Sequence, residues 1–510
     1  MRVGALTRVA AAVAVALGLM LGSAASAWAV PSDQERADGL WYAKALKFDE
    51  LQAAGHTGKG VKIAVIDDGI NTAVPELQGA NITPVSLCAA DFDRTEVYPA
   101  TSDDIMQVHG TNVTAMLVGN GVAGDGGLGT RGIAPQAEVL FYGLPANYDL
   151  ATNARGDYKT CYPTDEDAAA VVDGRGTISY AIVAAVMAGA DVISISTAVD
   201  FELFDDEYNL ALAFAARAGV PVVAATPNPL NPPSAAPDLL NGVIAVGGLS
   251  LDGTPISIGS ADSGRLDEGT AVGSPNLAVA APGDLFLVPA AIDSWNPSIA
   301  SGTSLATPLV AGTIALGLEA YPKATGYQVV QAMIRTTGTA GLAEPVWNDR
   351  LYGYGVLNPK AMLAVDPTQF PGENPLFVKD VSDPRCQGAE TMETCAWATH
   401  PTTQDFERIW AQWDASKQQS SVEPKAKPAP KPVAVADYTL LWVLGGVLAL
   451  GVIAAAIIVP IVITSSRKAR AKEQVAARGQ HWPGYAPSQQ QTAPTHEFSS
   501  QFDERNGAQQ

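Results

Sequence analysis

The stretch Ser301-Gly302-Thr303-Ser304-Leu305-Ala306-Thr307-Pro308 opens an apolar run that continues to Leu316 and predicts a buried helix. A glycine permits a tight turn at the entry, and a proline is tolerated in the first turns, where N–H groups lack intrahelical partners. Ser304 is therefore predicted at a helix N-terminus, where free N–H groups and the helix dipole favour negative charge. Such a serine is usually only a helix cap, but an acyl-transfer nucleophile needs the same setting for its developing oxyanion.

Short apolar strands alternate with apolar helices upstream of this stretch. The predicted strands lie at 61–66, 137–143, 191–196, 220–225 and 242–247, and the predicted helices at 108–119, 178–189 and 208–219. This alternation predicts an α/β domain with a mostly parallel sheet covered by helices on both faces.

Three further side chains carry chemistry at the expected edge of that sheet. Asp67 follows a predicted strand and precedes a glycine turn, His109 opens a predicted helix, and Asn228 follows another strand. Taken singly, Asp67 is equally typical of a turn residue, His109 of a helix cap and Asn228 of turn chemistry. In open α/β sheets, however, sites lie at the carboxyl ends of strands, and the order Asp…His…Ser is that of one known catalytic triad.

The motifs around these residues resemble those of the subtilases, the subtilisin-like serine peptidases. The resemblance rests on residues 65–69 (Val-Ile-Asp-Asp-Gly), 109–111 (His-Gly-Thr), 132–137 (Gly-Ile-Ala-Pro-Gln-Ala) and 302–308 (Gly-Thr-Ser-Leu-Ala-Thr-Pro), with weaker matches at 281–283 and 353–355. It implies a subtilisin-like three-layer fold. It also implies a protein or peptide substrate whose peptide bonds are hydrolysed through an acyl-enzyme.

The resemblance also implies roles for single residues. Ser304 would be the nucleophile, His109 the general base and Asp67 the group that orients the imidazole. Asn228 would complete the oxyanion hole, and the strand bearing Ser194, Ser196 and Ala198 would run beside the substrate backbone.

Some positions depart from the family pattern. Pro227 and Ala198 stand where glycine is usual, and Val108 replaces the glycine before the histidine. Thr197 replaces an apolar residue of the substrate strand. Asp68 stands where serine or threonine is usual, as in the proprotein-processing branch.

The chain divides into segments of different composition. Residues 1–29 have a basic start, an apolar run and a small-residue cleavage site, which are typical of a signal peptide. The apolar core at 440–463 is about 24 residues long, enough to span a bilayer, and the basic cluster after it predicts a cytoplasmic C-terminus. The predicted segments are the signal peptide 1–29, the peptidase domain 30–365 (lead-in 30–57, acidic insertion 144–175), a cysteine-containing extension 366–420, a proline-rich linker 421–437, a transmembrane helix 438–464 and a disordered cytoplasmic tail 465–510.

The four cysteines allow three pairings in an oxidising compartment. We favour Cys88 with Cys161 and Cys386 with Cys395, because the second pair closes a short local loop. Their spacing does not resemble a zinc site. The carboxylates at 103–104 and 205–207 lack a calcium-ligand pattern, so we expect no metal or other cofactor, with calcium left open.

The acidic balance, 31 Lys+Arg against 52 Asp+Glu or a net charge of −21, argues against nucleic acid as a partner. The layout of signal peptide, peptidase domain, spacer and membrane helix resembles the mycosins, membrane-anchored subtilases of type VII secretion machines. Our main hypothesis is a single-pass, extracytoplasmic serine endopeptidase that acts on a narrow set of exported proteins. The alternatives are a structural subunit of a type VII secretion complex with dispensable catalysis, and a pseudopeptidase that only binds peptides.

Overall fold

The structure is a computed structural model. It describes residues 30–149, 154–158, 161–169, 171–172, 177–197, 206–228, 237–256, 274, 276–291, 294–338, 342–386, 402–404, 406–408 and 410–411. All of these belong to one compact unit of the chain, whereas a second unit, Lys425–Phe498, lies outside the described residues.

Helices and strands alternate as the sequence predicts. The helices are α1 Asp33–Asp38, α2 Trp41–Ala45, α3 Phe48–Ala53, α4 Val108–Val118, α5 Glu166–Ala169, α6 Thr177–Met187, α7 Asp206–Ala218, α8 Thr303–Ala320, α9 Gly326–Ile334 and α10 Pro359–Leu363. The strands are β1 Lys62–Asp67, β2 Asn81–Ser86, β3 Cys88–Ala89, β4 Asn120–Val122, β5 Leu128–Arg131, β6 Glu138–Gly143, β7 Ala146–Asp149, β8 Ala154–Tyr158, β9 Tyr162–Pro163, β10 Val192–Ile195, β11 Val222–Ala225, β12 Ile244–Leu249, β13 Leu277–Pro282, β14 Phe286–Val288 and β15 Ser298–Ala300.

Seven strands form the central sheet in the order β13-β12-β11-β10-β1-β6-β2, and every neighbouring pair is parallel. Side chains alternate between the two faces along each strand. Ile63 and Val65 of β1 therefore pack into the core shared with α4, α8 and α9, while Ala64 and Ile66 pack into the core shared with α6 and α7. The predicted three-layer α/β architecture is confirmed.

The lead-in forms three short helices that pack on the core shared with α4, α8 and α9. Tyr42 and Phe48 are buried there, and the Tyr42 hydroxyl donates to the carbonyl of Arg131 over 2.9 Å. The guanidinium of Arg36 holds the carboxylate of Asp125 through two hydrogen bonds of 2.9 and 2.6 Å. That contact lowers the pKa of Asp125 to about 2. The lead-in is thus an integral part of the domain.

The segment after α10 packs back on the domain. The amide of Asn241 both donates to the carbonyl of Val378 and accepts from its N–H, over 3.0 and 2.8 Å. Farther along, Phe406 is buried in the core shared with α6 and α7, where its ring contacts those of Phe377 and Trp410 edge-on. Residues 412–510, with the predicted linker, transmembrane helix and tail, lie outside the described residues, as does the predicted signal peptide.

Within the described part of the chain, only α8 is long and apolar enough to cross a membrane. Its apolar window is 83% buried inside the domain, so it is a core helix.

The structure joins Cys88 to Cys161 in a disulfide, as expected. The bond tethers the predicted insertion to β3, and β3 also pairs with β9. The insertion is not a plain loop, because β7 and β8 form a hairpin within it. Cys386 is also disulfide-bonded, and Cys395 lies outside the described residues.

Candidate active site

Three adjacent strands end at one level on the rim of the sheet. Ile66 of β1 is in register with Ile195 of β10, which is in register with Ala224 of β11. Parallel neighbours are about 4.8 Å apart, so the residues that follow these strands must lie side by side. The strand ends therefore bring together Asp67, Ser196 and the segment that leads to Asn228.

The predicted carboxylate and imidazole are in contact. Asp67 is the last residue of β1 and fully buried, and its Oδ1 lies 2.8 Å from Nδ1 of His109, the second residue of α4. The same oxygen accepts the backbone N–H of Asp68 over 2.8 Å. The imidazole side chain is about one-third exposed (36%), so its far edge faces the solvent side of the rim. A buried carboxylate bound to Nδ1 fixes the ring and its tautomer.

The predicted nucleophile lies at the start of α8. Ser304 is the second residue of this helix, and its hydroxyl donates to the carbonyl of Ser196 over 3.1 Å. The hydroxyl of Ser196 in turn donates to the carbonyl of Ser304 over 2.8 Å. This pair of hydrogen bonds fastens the first turn of α8 to the end of β10, beside the strand that carries Asp67.

The amide of Asn228 is oriented by the residue next to the nucleophile. Its Oδ1 accepts the N–H of Thr303 over 3.2 Å, and the Thr303 hydroxyl lies 3.1 Å from the same oxygen. With the oxygen engaged, the Nδ2 group is left as the donor of this side chain. A Cβ at Gly302 would lie 3.6 Å from Oδ1 and 3.7 Å from Nδ2, so glycine leaves that side of the amide uncovered by a side chain of residue 302. An oriented donor beside a helix N-terminus is one requirement of an oxyanion hole.

Residues 58–355 match the family model described as "Subtilase family", and this range includes Asp67, His109, Asn228 and Ser304. The chain belongs to the subtilase family of subtilisin-like serine endopeptidases.

Subtilases of several kinds are similar to this chain. Subtilisin E of Bacillus subtilis (strain 168) is 27% identical over 326 residues, which cover 62% of this chain and 69% of that protein. Mycosin-1 of Mycolicibacterium smegmatis is 26% identical over 375 residues, 68% of this chain and 78% of that protein. The crystal structure of MycP1 from the ESX-1 type VII secretion system is 22% identical, with a TM-score of 0.46, and covers 66% of this chain and 88% of that one.

The residues expected beside the substrate lie in different places. Ser196 is at the end of β10, where its hydroxyl contacts Ser304. Ser194 is buried within β10, in register with Val65 and Val223, on the face that packs against α8. Its side chain therefore lies in the core layer below the rim. Ala198 lies outside the described residues.

Sequence reasoning missed two side chains that hold the start of α4 in place. The amide of Asn112, one turn after His109, donates to the carbonyl of Ala290 over 2.9 Å and accepts its N–H over 3.2 Å. The carboxylate of Asp68 accepts the N–H of Gly110 over 3.0 Å. The one sequence signal for Asn112 is its position three residues after the histidine. That spacing does not reveal the backbone partner, which is 178 residues away.

In the part of the chain that is described, one group of three potential cation ligands lies within 4.8 Å, namely Asp67, Asp68 and His109. The Asp67–His109 hydrogen bond and the backbone N–H groups bound to Asp68 account for this grouping without an ion. The expectation of no metal stays a prediction.

Proposed function

We propose that this subtilase is a membrane-anchored, extracytoplasmic serine endopeptidase that processes a narrow set of exported proteins. The observation that carries the peptidase part of the proposal is the hydrogen bond between the buried Asp67 and His109, on the same rim as Ser304 and the oriented amide of Asn228. A helix cap needs neither the carboxylate nor the imidazole, and a binding module needs no oriented donor beside a serine.

The proposed mechanism uses each group where it lies. The Ser304 hydroxyl must leave the Ser196 carbonyl and reach the imidazole of His109, and rotation about χ1 from one staggered well to another is the movement that we expect to do this. His109 takes the proton as Oγ attacks the peptide carbonyl, and Asp67 stabilises the imidazolium that forms. The oxyanion receives the Asn228 Nδ2–H and the backbone N–H of Ser304, and the imidazolium then protonates the leaving amine. Water attacks the acyl-enzyme by the same route in reverse.

Active-site labelling tests this proposal. We expect a fluorophosphonate probe to label the full-length wild type and not the Ser304→Ala variant. The Ser298→Ala variant, which changes a serine of β15 outside the rim, serves as the matched control and should label like the wild type. A wild type that takes up no probe under conditions where subtilisin E does would refute the proposal.

Membrane anchoring rests on the apolar run at 440–463 and the basic cluster after it. We expect the full chain to stay with membranes after alkaline carbonate extraction, and a chain that ends at residue 436 to be released while it still takes up the probe. Release of the full chain would contradict the anchor.

The similarity to Mycosin-1 supports a second candidate function, a structural subunit of a type VII secretion complex. A secretion assay separates the two functions. If catalysis is essential, Ser304→Ala abolishes secretion although the anchor is intact. If scaffolding is essential, Ser304→Ala supports secretion and the chain that ends at residue 436 does not.

A further inference from the structure

Asp68 is a second buried carboxylate next to the catalytic pair, and the triad scheme gives it no task. It is 2% exposed, and its Oδ1 accepts the N–H of Gly69 over 2.7 Å and the N–H of Gly110 over 3.0 Å. Gly110 directly follows His109 in the first turn of α4. One carboxylate thus fastens the turn after β1 to the helix that carries the imidazole.

Because His109 stands at a helix N-terminus, the Asp68 carboxylate also has an electrostatic effect on the protonation of the imidazole. The positive end of a helix dipole disfavours a cation, and His109 stands in the first turn of α4. The imidazole must nevertheless accept a proton in the transition state. Potential ligand atoms of Asp67, Asp68 and His109 all lie within 4.8 Å of one another, so the ring faces two negative charges rather than one. An opposite charge at this distance favours the protonated ring.

The other elements around the ring contribute little fixed charge. α4 has no ionisable side chain besides His109, and α8 has none before Glu319. The segment that leads into α4 carries Asp103 and Asp104, and the Asp104 carboxylate is exposed and accepts the N–H of Met106. Within the described part of the chain, Asp67 and Asp68 are the two buried carboxylates grouped with the imidazole.

We propose that Asp68 is a positioning residue of this peptidase, which holds the first turn of α4 through Gly110 and stabilises the imidazolium of His109 as a second carboxylate. The inference rests on the proposed function for its kinetic consequence and on geometry for its effect on the ring. It does not require Asp68 to contact the substrate.

The kinetic test compares two neutral replacements with an exposed control. In Asp68→Asn an oxygen can still accept both N–H groups while the charge is lost, and Asp68→Ser introduces the residue usual at this position in subtilases. For both variants we expect the acid-side midpoint of the pH profile of kcat/KM to fall by about one pH unit. One unit corresponds to about a tenfold loss of imidazolium stabilisation, so kcat on the plateau should fall about tenfold while KM stays within about twofold. Asp93→Asn, which removes one exposed charge, should leave the midpoint within about 0.2 unit because solvent screens that charge.

A second readout does not need catalysis. In the full-length Ser304→Ala protein with ¹³C-labelled histidine, NMR follows protonation of the His109 ring directly, and His109→Gln identifies its signal. We expect Asp68→Asn in this background to lower the ring's titration midpoint by the same amount, about one pH unit.

The two readouts separate the inference from the proposed function. Coincident NMR titrations of the Ser304→Ala protein with and without Asp68→Asn would overturn the role of Asp68, even if the wild type cleaves peptides. A shifted titration in a chain that cleaves nothing and takes up no probe would support that role and refute the peptidase mechanism. A purely structural role predicts a smaller fraction of probe-labelled protein with an unchanged midpoint, and that result would also overturn the inference.

Discussion

Asp238 is a buried carboxyl group whose replacement by asparagine should make the fold more stable above neutral pH. It lies in the 3-10 turn Pro237–Leu239, which packs against β11 and β12, and it is fully buried. Neither carboxylate oxygen accepts a hydrogen bond of good geometry from the described residues. Burial raises the pKa of Asp238 from 3.8 to about 7, and the nearby Ser274 hydroxyl offsets only part of that rise.

The sign of the effect follows from proton binding. Between about pH 4 and pH 7 the folded chain keeps a proton on Asp238 that the unfolded chain has lost, so the free energy of unfolding falls as the pH rises through this window. The stabilisation is complete below the unfolded-state pKa and is lost once the pH exceeds about 7. A shift of about three pKa units corresponds to about 4 kcal/mol, and relaxation of the site reduces this to about 2–4 kcal/mol. For a domain of roughly 300 residues, that is about 3–6 °C in Tm.

Thermal unfolding between pH 4.5 and 8 tests the prediction, with every protein in the Ser304→Ala background to prevent autolysis. The Tm of Asp238→Asn minus that of the parent should grow by about 3–6 °C between pH 4.5 and pH 8. Asp93→Asn removes an exposed carboxylate and should show no such trend. If the Asp238→Asn curve runs parallel to the parent curve across this range, the carboxyl group is not held neutral by the fold and the reasoning fails.

Three shorter predictions concern the site, one of its supports and the lead-in. Asn228→Ala should lower kcat by about 10²–10³ with KM within about threefold, and steady-state kinetics that show less than a tenfold loss would exclude the oxyanion role. Asn112→Ala leaves the buried N–H and C=O of Ala290 without their partners, so urea unfolding should show a loss of about 2–4 kcal/mol. Trp41→Phe keeps an aromatic ring in the lead-in but removes the hydrogen bond of 2.8 Å to the carbonyl of Asp284, and should cost about 1 kcal/mol in the same assay. Unchanged unfolding of Trp41→Phe would mean that this contact contributes nothing.

The interior of the sheet could be predicted from the sequence because its strands are buried on both faces. β1, β6, β10, β11 and β12 are short apolar runs, and each lies within a few residues of its predicted position. The two edge strands, β2 and β13, were not predicted, for two different reasons. β2 is a half-exposed edge strand with a proline and polar residues, whereas β13 is rich in alanine and lacks the β-branched run that marks a strand.

The principal site residues were accessible to sequence reasoning because each occupies a place that local sequence defines. Asp67 ends a strand, and His109 and Ser304 begin helices, so their positions follow from element boundaries. The supports of the site were not accessible in this way. Asn112 and Asp68 act on backbone atoms of Ala290 and Gly110, and a backbone N–H leaves no mark in the residue type that carries it.

The proposed mechanism places opposite charges at the N-termini of α4 and α8, and different side chains contact these two N-termini. Neither α4 nor α8 has an acidic residue in its first turn. In the proposed mechanism the ring at α4 must become positive, and the buried carboxylate of Asp68 accepts an N–H of that N-terminus from outside the helix. In that mechanism, negative charge develops at α8 only during the reaction, so a fixed carboxylate there would repel the oxyanion. The amide of Asn228, a neutral donor, occupies the equivalent place at α8, held by the N–H of Thr303. A carboxylate at one helix start and an amide at the other are therefore what the proposed general-base mechanism would require of two helices that meet at one rim.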